Sequence, residues 1–331
     1  FQKRFYFVQD YEPYFFAQGT SSILTEQSYA SKNNFACICA SPWLKQKMES
    51  FGNSAISFPL AVDHSVYYPK NEEKRKRDAI AFYVRRSTPR RLYELGLLAL
   101  RALFDLGDQF EIITFGEKDL PDLGIPVKVR HAGILDADAL ANLYRQCAVG
   151  LVLSGTNYSL VPNEMMACGL PVVDIDAEHT RISYQPETAV LAKPTPIELA
   201  SALSRLLNDA SFRESTAKAG LAATEQLSWD ESNKLIETFI QESLSSAPSL
   251  PRQLQSSTPL VTIVIPVYNG GTMLKTVVEA CLAQDLNEEF ELLLIDSASS
   301  DGGLKALPQD ERLRIHRIQK EDFGHGRTRN L

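Results

Sequence analysis

The carboxylate of Glu164 stands in the sequence where a polar loop gives way to an apolar segment. It is the single acidic residue of SGTNYSLVPNEMMACGLPVV, which runs from Ser154 to Val173. Pro162 suits the first turn of a helix, and Gly169 suits the position just past a helix end, where φ turns positive. The stretch therefore predicts a loop, a short helix, a tight turn and a strand. In the first turn of that helix an acid would complement the helix dipole, which explains an acid but not a ligand.

Short apolar runs alternate with amphipathic helical patterns from about Phe5 to Gln241. The strand-like runs are FYFVQ, ACICAS, AISFPL, IAFYV, FEIITFG, VKVRHAG, VGLVLS and PVVDID. Between them, PRRLYELGLLALRALFDLG and ADALANLYRQCA show the apolar spacing of helices. This alternation predicts an α/β protein with a doubly wound, Rossmann-like parallel sheet. Ligands of such sheets bind beyond the carboxyl ends of the strands, and Glu164 follows the strand VGLVLS, which favours a functional role.

The composition narrows the class of protein. The chain has 331 residues, 44% of them hydrophobic and 23% charged, which suits about two soluble domains. Its net charge of −7 argues against nucleic-acid binding, and no apolar run reaches the roughly 20 residues of a transmembrane segment. Five cysteines without metal-type spacing predict reduced, buried thiols and a cytosolic protein.

A change of composition at SLSSAPSLPRQLQSST predicts a linker before a second α/β unit. After it come a strand and turn (LVTIVIPVYNGG), a helix (GTMLKTVVEACLAQ), two strands (FELLLIDSASSDGG and LRIHRI) and a polar stretch, EDFGHGRTRNL. About 70 residues are too few for a complete domain of this kind. We therefore expect the chain to be a fragment of a longer protein, an expectation that its first residue, Phe1, also supports.

Most of residues 5–243 resembles the C-terminal half of GT-B glycosyltransferases of family 4, of the retaining type related to bacterial rhamnosyltransferases. The resemblance is carried, in order, by FYFVQDYEPYF, CASPWLKQKMESFG with FPLAVDHSVYYP, YVRRSTPRR, HAGILDADALANLYRQCAVGLVLS with SLVPNEMMACGLPVV, and LSWDESNKLIETFIQ. It implies the end of a GT-B N-terminal domain and hinge at 1–62 and a donor-binding domain at 63–243. A Ser/Pro-rich linker would follow at 244–258.

In this family two cations five residues apart meet the donor diphosphate, and the matching residues here are Arg85 and Arg90. Charge accumulates on the diphosphate as the glycosidic bond lengthens, and the forked donors of arginine match phosphate oxygens. The resemblance thus assigns Arg85 and Arg90 a catalytic role, with a solvated basic loop as the alternative, which we favour for Arg86 and Arg91. Glu164 would accept hydrogen bonds from the ribose, and the helix beginning near Pro162 would add its amides to the anion.

One position departs from many retaining relatives, which carry a second glutamate eight residues before the first. The corresponding residue here is Thr156, in a loop without acids. The resemblance makes four residues of this loop donor-binding candidates: Thr156, Asn157, Tyr158 and Ser159. For Tyr158 the alternative is a packing role. Asp10 and Glu12 could face the acceptor cleft or serve a local turn.

Residues 259–331 resemble the start of a GT-A glycosyltransferase of family 2, of the rhamnosyltransferase-like kind. VTIVIPVYNGG, LLLIDSASSDGG and EDFGHGRTRNL follow that family's order. The resemblance places the nucleotide base and ribose near the turn from Pro266 through Tyr268 to Asn269 and near Asp296. It places the donor diphosphate near His325 and Arg327, while Asp301 reads as a turn former. A divalent Mg or Mn ion is expected for the complete GT-A domain. Its ligands would lie beyond this chain, and the GT-B part needs no cofactor.

Together these resemblances imply an EC 2.4 glycosyltransferase that moves a sugar, by resemblance rhamnose, from a nucleotide-diphospho-sugar to a bacterial surface glycan. The donor would be dTDP-, UDP- or GDP-linked, and the acceptor a glycan or a lipid-linked glycan. The protein would act in the cytoplasm, with peripheral association at the inner face of the membrane left open. The alternative is a non-catalytic module that binds a nucleotide-sugar and positions an attached enzyme. We expect little transfer by these residues alone.

Overall fold

A computed structural model describes residues 4–30, 35–70, 78–245, 261–285 and 289–319. The described residues up to 22 and from 29 to 245 form one compact unit, and those from 261 onward belong to a second. Each unit is built from parallel sheets with connecting helices, so the predicted α/β class is confirmed.

The larger unit is organised around a six-stranded parallel sheet in the order β6-β5-β4-β7-β8-β9. Alternate residues of β4 enter the two cores on either side of it: Ile80 and Phe82 pack with helices α3 and α7, while Ala79 and Ala81 pack with α4 and α5. This two-sided burial explains the nearly continuous apolar strands in the sequence and confirms the doubly wound sheet. The strands are β4 (Ala79–Tyr83), β5 (Glu111–Phe115), β6 (Lys128–His131), β7 (Val149–Leu151), β8 (Val172–Ile175) and β9 (Val190–Ala192).

Seven helices of the described residues accompany this sheet: α3 (Tyr93–Asp105), α4 (Ala137–Gln146), α5 (Leu160–Ala167), α6 (Glu178–Ser183), α7 (Pro196–Asn208), α8 (Ala210–Thr224) and α9 (Trp229–Ser245). Their starts follow local capping chemistry. Asp136 caps α4 by accepting from the Ala139 amide at 2.9 Å, and Asp209 caps α8 in the same way. Gly169 has a φ of 72° just after α5, as predicted for the turn back to the sheet.

A smaller sheet precedes the larger one in the same unit. Its order is β1-β2-β3, all parallel, and its core is formed around Trp43, Leu44 and Met48 of the following helix. Residues of α9 pack against this core, so the end of the unit returns to its beginning. Its elements are β1 (Arg4–Val8), β2 (Phe35–Cys39), α2 (Pro42–Ser50) and β3 (Ser54–Ser57); α1 (Thr20–Gln27) lies between β1 and β2 in sequence, and its residues from Ile23 onward are not part of this unit.

The described part of the second unit is a three-stranded parallel sheet in the order β10-β11-β12. Its elements are β10 (Val261–Val267), α10 (Gly271–Leu282), β11 (Phe290–Asp296) and β12 (Leu313–Arg317). The side chains of Leu274 and Val278 on α10 bury against Leu292 and Leu294 of β11. This is the strand, helix, strand, strand order that the sequence predicts.

The close contact between α3 and β4 predicts a defined effect of one added methyl group. A Cβ at Gly96 would lie 2.5 Å from the Phe82 ring, which is fully buried and has no free side to move toward. Gly96→Ala should therefore lower the free energy of unfolding by about 1–3 kcal/mol, despite a helix-propensity gain of about 1 kcal/mol. Urea unfolding measures this.

The exposed Glu94→Ala in the same helix is the matched control and should change stability by less than about 0.5 kcal/mol. Equal or greater stability of Gly96→Ala would contradict the packing described.

Candidate functional site

A cavity of about 600 Å³ opens at the carboxyl ends of β4 and β5, against the start of α5. Three predicted site residues line it: Arg85, Ser159 and Glu164. Its other lining residues are Tyr83, Ser87, Phe115, Gly116, Glu117, Lys118, Ile134, Leu135, Leu140, Tyr144, Leu160 and Val161. The cavity thus combines cationic, acidic and hydroxyl groups with an apolar wall, at the sheet edge where the sequence predicts a ligand.

Arg85 follows β4 and is exposed, whereas its neighbour Arg86 is engaged. The Arg86 amide donates to Glu117 Oε2 at 2.6 Å and its Nε donates to Oε1 of the same carboxylate at 3.2 Å. These bonds lower the pKa of Glu117 and tie the β4 loop to the β5 loop. The pairing leaves Arg85 as the cation that the β4 loop presents to the cavity.

The first turn of α5 also faces this cavity. Ser159 is the N-cap residue, but its side chain does not cap the helix. Its Oγ is buried and has no hydrogen-bond partner among the described residues. Amides in the first turn of a helix lack partners within the helix and attract anions. Ser159, these amides and Arg85 can therefore serve one anionic ligand.

Glu164 does not occupy the first turn of its helix, so the dipole interpretation is wrong. The helix begins at Leu160 rather than near Pro162, which makes Glu164 its fifth residue. Burial raises the pKa of Glu164 to about 7, and a hydrogen bond with the Tyr67 hydroxyl opposes that rise. A carboxylate that is desolvated in this way gains most from a ligand that donates hydrogen bonds.

The loop between β7 and α5 carries the other predicted donor contacts. Thr156 and Asn157 are buried, and Asn157 Nδ2 donates to the Gln9 carbonyl at 3.0 Å while its Oδ1 has no partner within the described residues. The Thr156 hydroxyl lies close enough to Asp10 to lower its pKa, although it makes no well-formed hydrogen bond. The Tyr158 hydroxyl accepts from the Leu60 amide at 3.3 Å. None of these three lines the cavity, and their donor contacts stay predictions.

Arg90 lies apart from the cavity that Arg85 lines. Its Nε is 3.4 Å from Asp10 Oδ2, and its guanidinium lies 4.4 Å from the centre of the Phe15 ring. Burial raises the pKa of Asp10, and Arg90 opposes that rise. The structure therefore brings Arg85 and Glu164 together but pairs Arg90 with a residue after β1. Glu12, the other acid of this segment, accepts hydrogen bonds from the Tyr6 and Tyr29 hydroxyls.

Sequence reasoning missed three residues of the site. Lys118 lines the cavity from the loop after β5, and Tyr144 lines it from α4. Tyr67 reaches Glu164 from the segment before β4. The position of Lys118 just after the strand FEIITFG was an available signal, since that strand ends at the same sheet edge. Tyr67 and Tyr144 gave no such signal, because aromatic residues within an apolar stretch of sequence are interpreted as core residues.

In the second unit, Asp296 ends β11 at the edge of a cavity of about 410 Å³. Asp296 is buried and accepts from the Ser299 amide at 3.1 Å, with Arg317 Nε 3.9 Å away. Pro266 lies within β10, and Tyr268 is exposed just after it. Asn269 has a φ of 50° and bonds to the backbone of Ser300, so the β10 turn meets the β11 loop.

Asp301 accepts from the amides of Gly271 and Gly303, which supports its interpretation as a turn former. His325 and Arg327 lie outside the described residues.

Comparison with protein families and known proteins follows the same division of the chain. Residues 78–204 match the family model "WsaF, C-terminal domain", and residues 262–331 match "Glycosyl transferase family 2". The predicted resemblance to glycosyltransferases is confirmed. All lining residues of the larger cavity lie in the first matched region, and Asp296 lies in the second.

Two curated relatives act in bacterial surface glycan synthesis by their names. The "O-antigen biosynthesis protein RfbC" of Myxococcus xanthus is 37% identical over 230 residues, which are 68% of this chain and 18% of that protein. The "O-antigen chain rhamnosyltransferase RfbN" of Salmonella typhimurium is 35% identical over 71 residues, 22% of each chain. The chain therefore spans about a fifth of the length of either relative.

Solved structures show the same fold at lower identity. Sucrose-phosphate synthase from Thermosynechococcus elongatus has a TM-score of 0.58 and 21% identity, covering 69% of this chain and 63% of that one. Anabaena Alr3699/HepE in complex with UDP and glucose has a TM-score of 0.59 and 18% identity, covering 74% and 72%. These likenesses concern the fold, which is that of GT-B glycosyltransferases.

None of the helices in the described ranges is long and apolar enough to cross a membrane. Cys37, Cys39, Cys147 and Cys168 are buried and Cys281 is half-buried, and within the described residues none of the five forms a disulfide.

The raised pKa of Glu164 predicts a pH-dependent effect of its replacement. Between pH 4.5 and about 7 the folded chain retains a proton that the unfolded chain releases. The stability contributed by this group is therefore fully present below pH 4.5 and is lost as the pH rises through about 7. At about pH 8, Glu164→Gln should be more stable than the wild type by up to about 3 kcal/mol. Urea unfolding at several pH values should show the difference closing toward pH 4.5.

Glu117→Gln is the matched control from the same cavity and should show the opposite sign. The pKa of Glu117 is lowered by Arg86, so its replacement should destabilise the protein at neutral pH and become neutral as the pH falls. A Glu164→Gln variant less stable than the wild type at pH 8 would contradict the burial described.

Proposed function

We propose that the larger unit belongs to a glycosyltransferase that takes its sugar from a nucleotide-diphospho-sugar. The observation that carries the proposal is the shared cavity, which presents an exposed guanidinium, an uncapped helix start and a half-buried carboxylate at one sheet edge. A nucleotide-diphospho-sugar offers one chemical partner to each: a diphosphate for the first two and pentose hydroxyls for the third.

The reaction explains why a cation is needed at this place. Breaking the bond between the anomeric carbon and the diphosphate leaves the electron pair, and a growing negative charge, on the diphosphate. Arg85 and the amides at the start of α5 stabilise that charge more in the transition state than in the ground state. Lys118, on the loop after β5, also lines the cavity and would add a second cation. Arg90 would assist from its site beside Asp10 if it exchanged that partner for the donor.

Recognition of the nucleoside falls to the remaining parts of the cavity. Glu164 would accept hydrogen bonds from pentose hydroxyls, which offsets the desolvation of its carboxylate. The apolar wall suits the flat face of a base; it includes Phe115, Ile134, Leu135 and Leu140. Thr156, Asn157 and Ser159 would contact the sugar or the phosphates, and Pro162 would shape the first turn of α5.

The relatives support a surface glycan as the acceptor, since both are named for O-antigen synthesis. We therefore propose transfer to a growing, lipid-linked glycan in the cytoplasm at the inner face of a bacterial membrane. The RfbN match supports rhamnose as the sugar, with a dTDP-, UDP- or GDP-linked donor. Retention at the anomeric carbon is part of the proposal for this unit, together with chemistry that needs no metal.

The second unit would bind a nucleotide through Asp296 and the β10 turn. We propose that the complete domain uses a divalent Mg or Mn ion. A match over residues 262–331 to glycosyl transferase family 2 supports that view.

The alternative is a module that binds the nucleotide-sugar without transferring it, and the acid-free loop around Thr156 favours it. Turnover by the full-length parent separates the two. Sugar transfer or slow donor hydrolysis that is lost with Arg85→Ala supports the enzyme, whereas binding without either reaction supports the module. The present 331 residues alone should show little or no transfer, because GT-B catalysis takes place between two domains.

Replacement of the two principal groups should weaken donor binding by the 331-residue chain. Arg85→Ala and Glu164→Ala should each raise the Kd for the preferred nucleotide by about 5- to 150-fold, because each leaves a buried polar group of the complex unpaired. Isothermal titration calorimetry with UDP, dTDP and GDP measures this.

Arg101→Ala serves as the control for charge, since Arg101 lies on α3 in an exposed ion pair with Asp105. Equal affinities of the wild type and both cavity variants would show that the nucleotide binds elsewhere.

A further inference from the structure

The backbone of Ser154, which opens the loop from β7 to α5, is held at both its N–H and its carbonyl by buried side chains. Its N–H donates to Asp174 Oδ1 at 2.9 Å. Its carbonyl oxygen lies 2.6 Å from His179 Nε2. Asp174 belongs to β8 and His179 to α6, so two elements next to the loop hold the backbone of the same residue, at the two peptide groups that flank its Cα.

Asp174 takes over from the backbone where the sheet stops. The pairing of β7 with β8 ends with Leu151 opposite Val173, followed by a hydrogen bond from the Val152 amide to the Val173 carbonyl. The loop then leaves the sheet, and the Asp174 carboxylate accepts from the Ser154 amide. A side chain therefore anchors the loop at a point where a continued ladder would have kept it in the sheet.

A carboxylate is a costly choice for this anchor. Asp174 is fully buried, and burial raises its pKa to about 7. This rise in pKa is opposed by the hydrogen bonds that Asp174 accepts from the amides of Ser154 and Ile175 and from the Tyr184 hydroxyl. The nearby cation Arg91 opposes it as well. An apolar side chain at the end of this strand would avoid the desolvation free energy of a buried carboxylate. The carboxylate is therefore better explained by the backbone of Ser154, which it orients.

His179 completes the grip as a neutral ring. It is buried, and burial lowers its pKa, so its Nε2–H donates to the Ser154 carbonyl. The ring is held in turn by Trp43, whose ring centre lies 5.4 Å away. Its geometry is therefore fixed independently of Asp174.

The residues directly after Ser154 have the open hydrogen-bonding groups of a ligand contact. Oγ1 of Thr156, Oδ1 of Asn157 and Oγ of Ser159 are buried without a hydrogen bond in the described part of the structure. Ser159 reaches the cavity that contains Arg85 and Glu164. A change in the backbone conformation of Ser154 would displace all three groups.

We propose that Asp174 and His179 are positioning residues, which fix the backbone of Ser154 at its N–H and its carbonyl and so hold the stretch from Thr156 to Ser159 in place for the donor sugar. The proposal rests on the proposed function. It assigns to the pair a contribution to sugar recognition, distinct from the diphosphate and pentose contacts of Arg85 and Glu164.

The test compares nucleotide-sugars with the corresponding free diphosphates on the 331-residue chain. The probes are UDP-glucose with UDP, dTDP-rhamnose with dTDP, and GDP-mannose with GDP. For the pair that the wild type binds, Asp174→Ala and His179→Ala should lower the affinity for the nucleotide-sugar about tenfold or more relative to the free diphosphate.

Conservative variants and a neighbouring control separate positioning from general stability. Asp174→Asn keeps a weaker acceptor for the Ser154 amide, and His179→Gln keeps a donor for its carbonyl, so both should retain more of the wild-type ratio than the alanine variants. Arg181→Ala, on the same helix as His179, removes an exposed ion pair with Asp176 and should leave the ratio unchanged.

A pH series supplies a second readout that holds even if the alanine variants fail to fold. The ionised Asp174 is the stronger acceptor, so the ratio in the wild type should fall as the pH drops through about 7. Asp174→Asn cannot ionise at this position, so it should show only the pH dependence that comes from the terminal phosphate of the free diphosphate, and the wild type should show a larger change. Tyr184 and Arg91, which face Asp174, are present in both proteins, and titration of Glu164 affects sugar and diphosphate probes together.

Two results would overturn the positioning role: folded alanine variants with the wild-type ratio, or the same pH profile for the wild type and Asp174→Asn. Failure of the wild type to bind any of the six probes would instead overturn the proposed function. The role of Asp174 and His179 in donor binding would fall with it.

Discussion

The desolvation of one carboxylate is the constraint on which the site depends. Glu164 lies on a short helix whose other side is packed into the core, so its carboxylate is half-buried and partly desolvated beside Tyr67 and Tyr144. Such a group gains a great deal from neutral hydrogen-bond donors and little from further burial. Arg85, at the other side of the cavity, instead gains most from an anionic ligand. A ligand with hydroxyls at one end and phosphates next to them meets both.

The fold delivers these opposed groups by placing three loops at one sheet edge. The loop after β4 carries Arg85, the loop after β5 carries Glu117 and Lys118, and the loop after β7 leads into α5. Gly116 permits the close approach of the first two loops. Its φ is 100°, and a Cβ there would lie 2.6 Å from the Tyr83 ring and 2.9 Å from the Val84 carbonyl. The bonds between Arg86 and Glu117 then lock the loops together.

Much of the fold and part of the site could be predicted from the sequence, because both depend on local patterns. Apolar runs located eight strands of the larger unit, whereas β9 escaped since its three residues, Val190–Ala192, are too few to show a period. The start of α5 was misplaced because Pro162 marked a first turn whose cap, Ser159, lies three residues earlier. That shift of half a turn changed the explanation of Glu164 from dipole to burial.

The position of Arg90 could not be predicted from its spacing to Arg85. Pro89–Arg91 form a short 3-10 helix that ends at Leu92 with a φ of 49°, which turns the chain before α3 begins. The partner that captures Arg90 is Asp10, far away in sequence, so no local pattern records the pair. The same holds for Tyr67 with Glu164 and for Asp174 with Ser154. Long-range polar contacts of this kind determine which predicted residues meet in the site.

The most direct test of this account is a crystal structure of the chain with a bound nucleotide-sugar such as UDP-glucose. The account predicts the diphosphate oxygens within hydrogen-bonding distance of Arg85 and the first amides of α5, and a pentose hydroxyl bonded to Glu164. A nucleotide-sugar bound elsewhere, with Glu164 and Arg85 both out of contact, would contradict it.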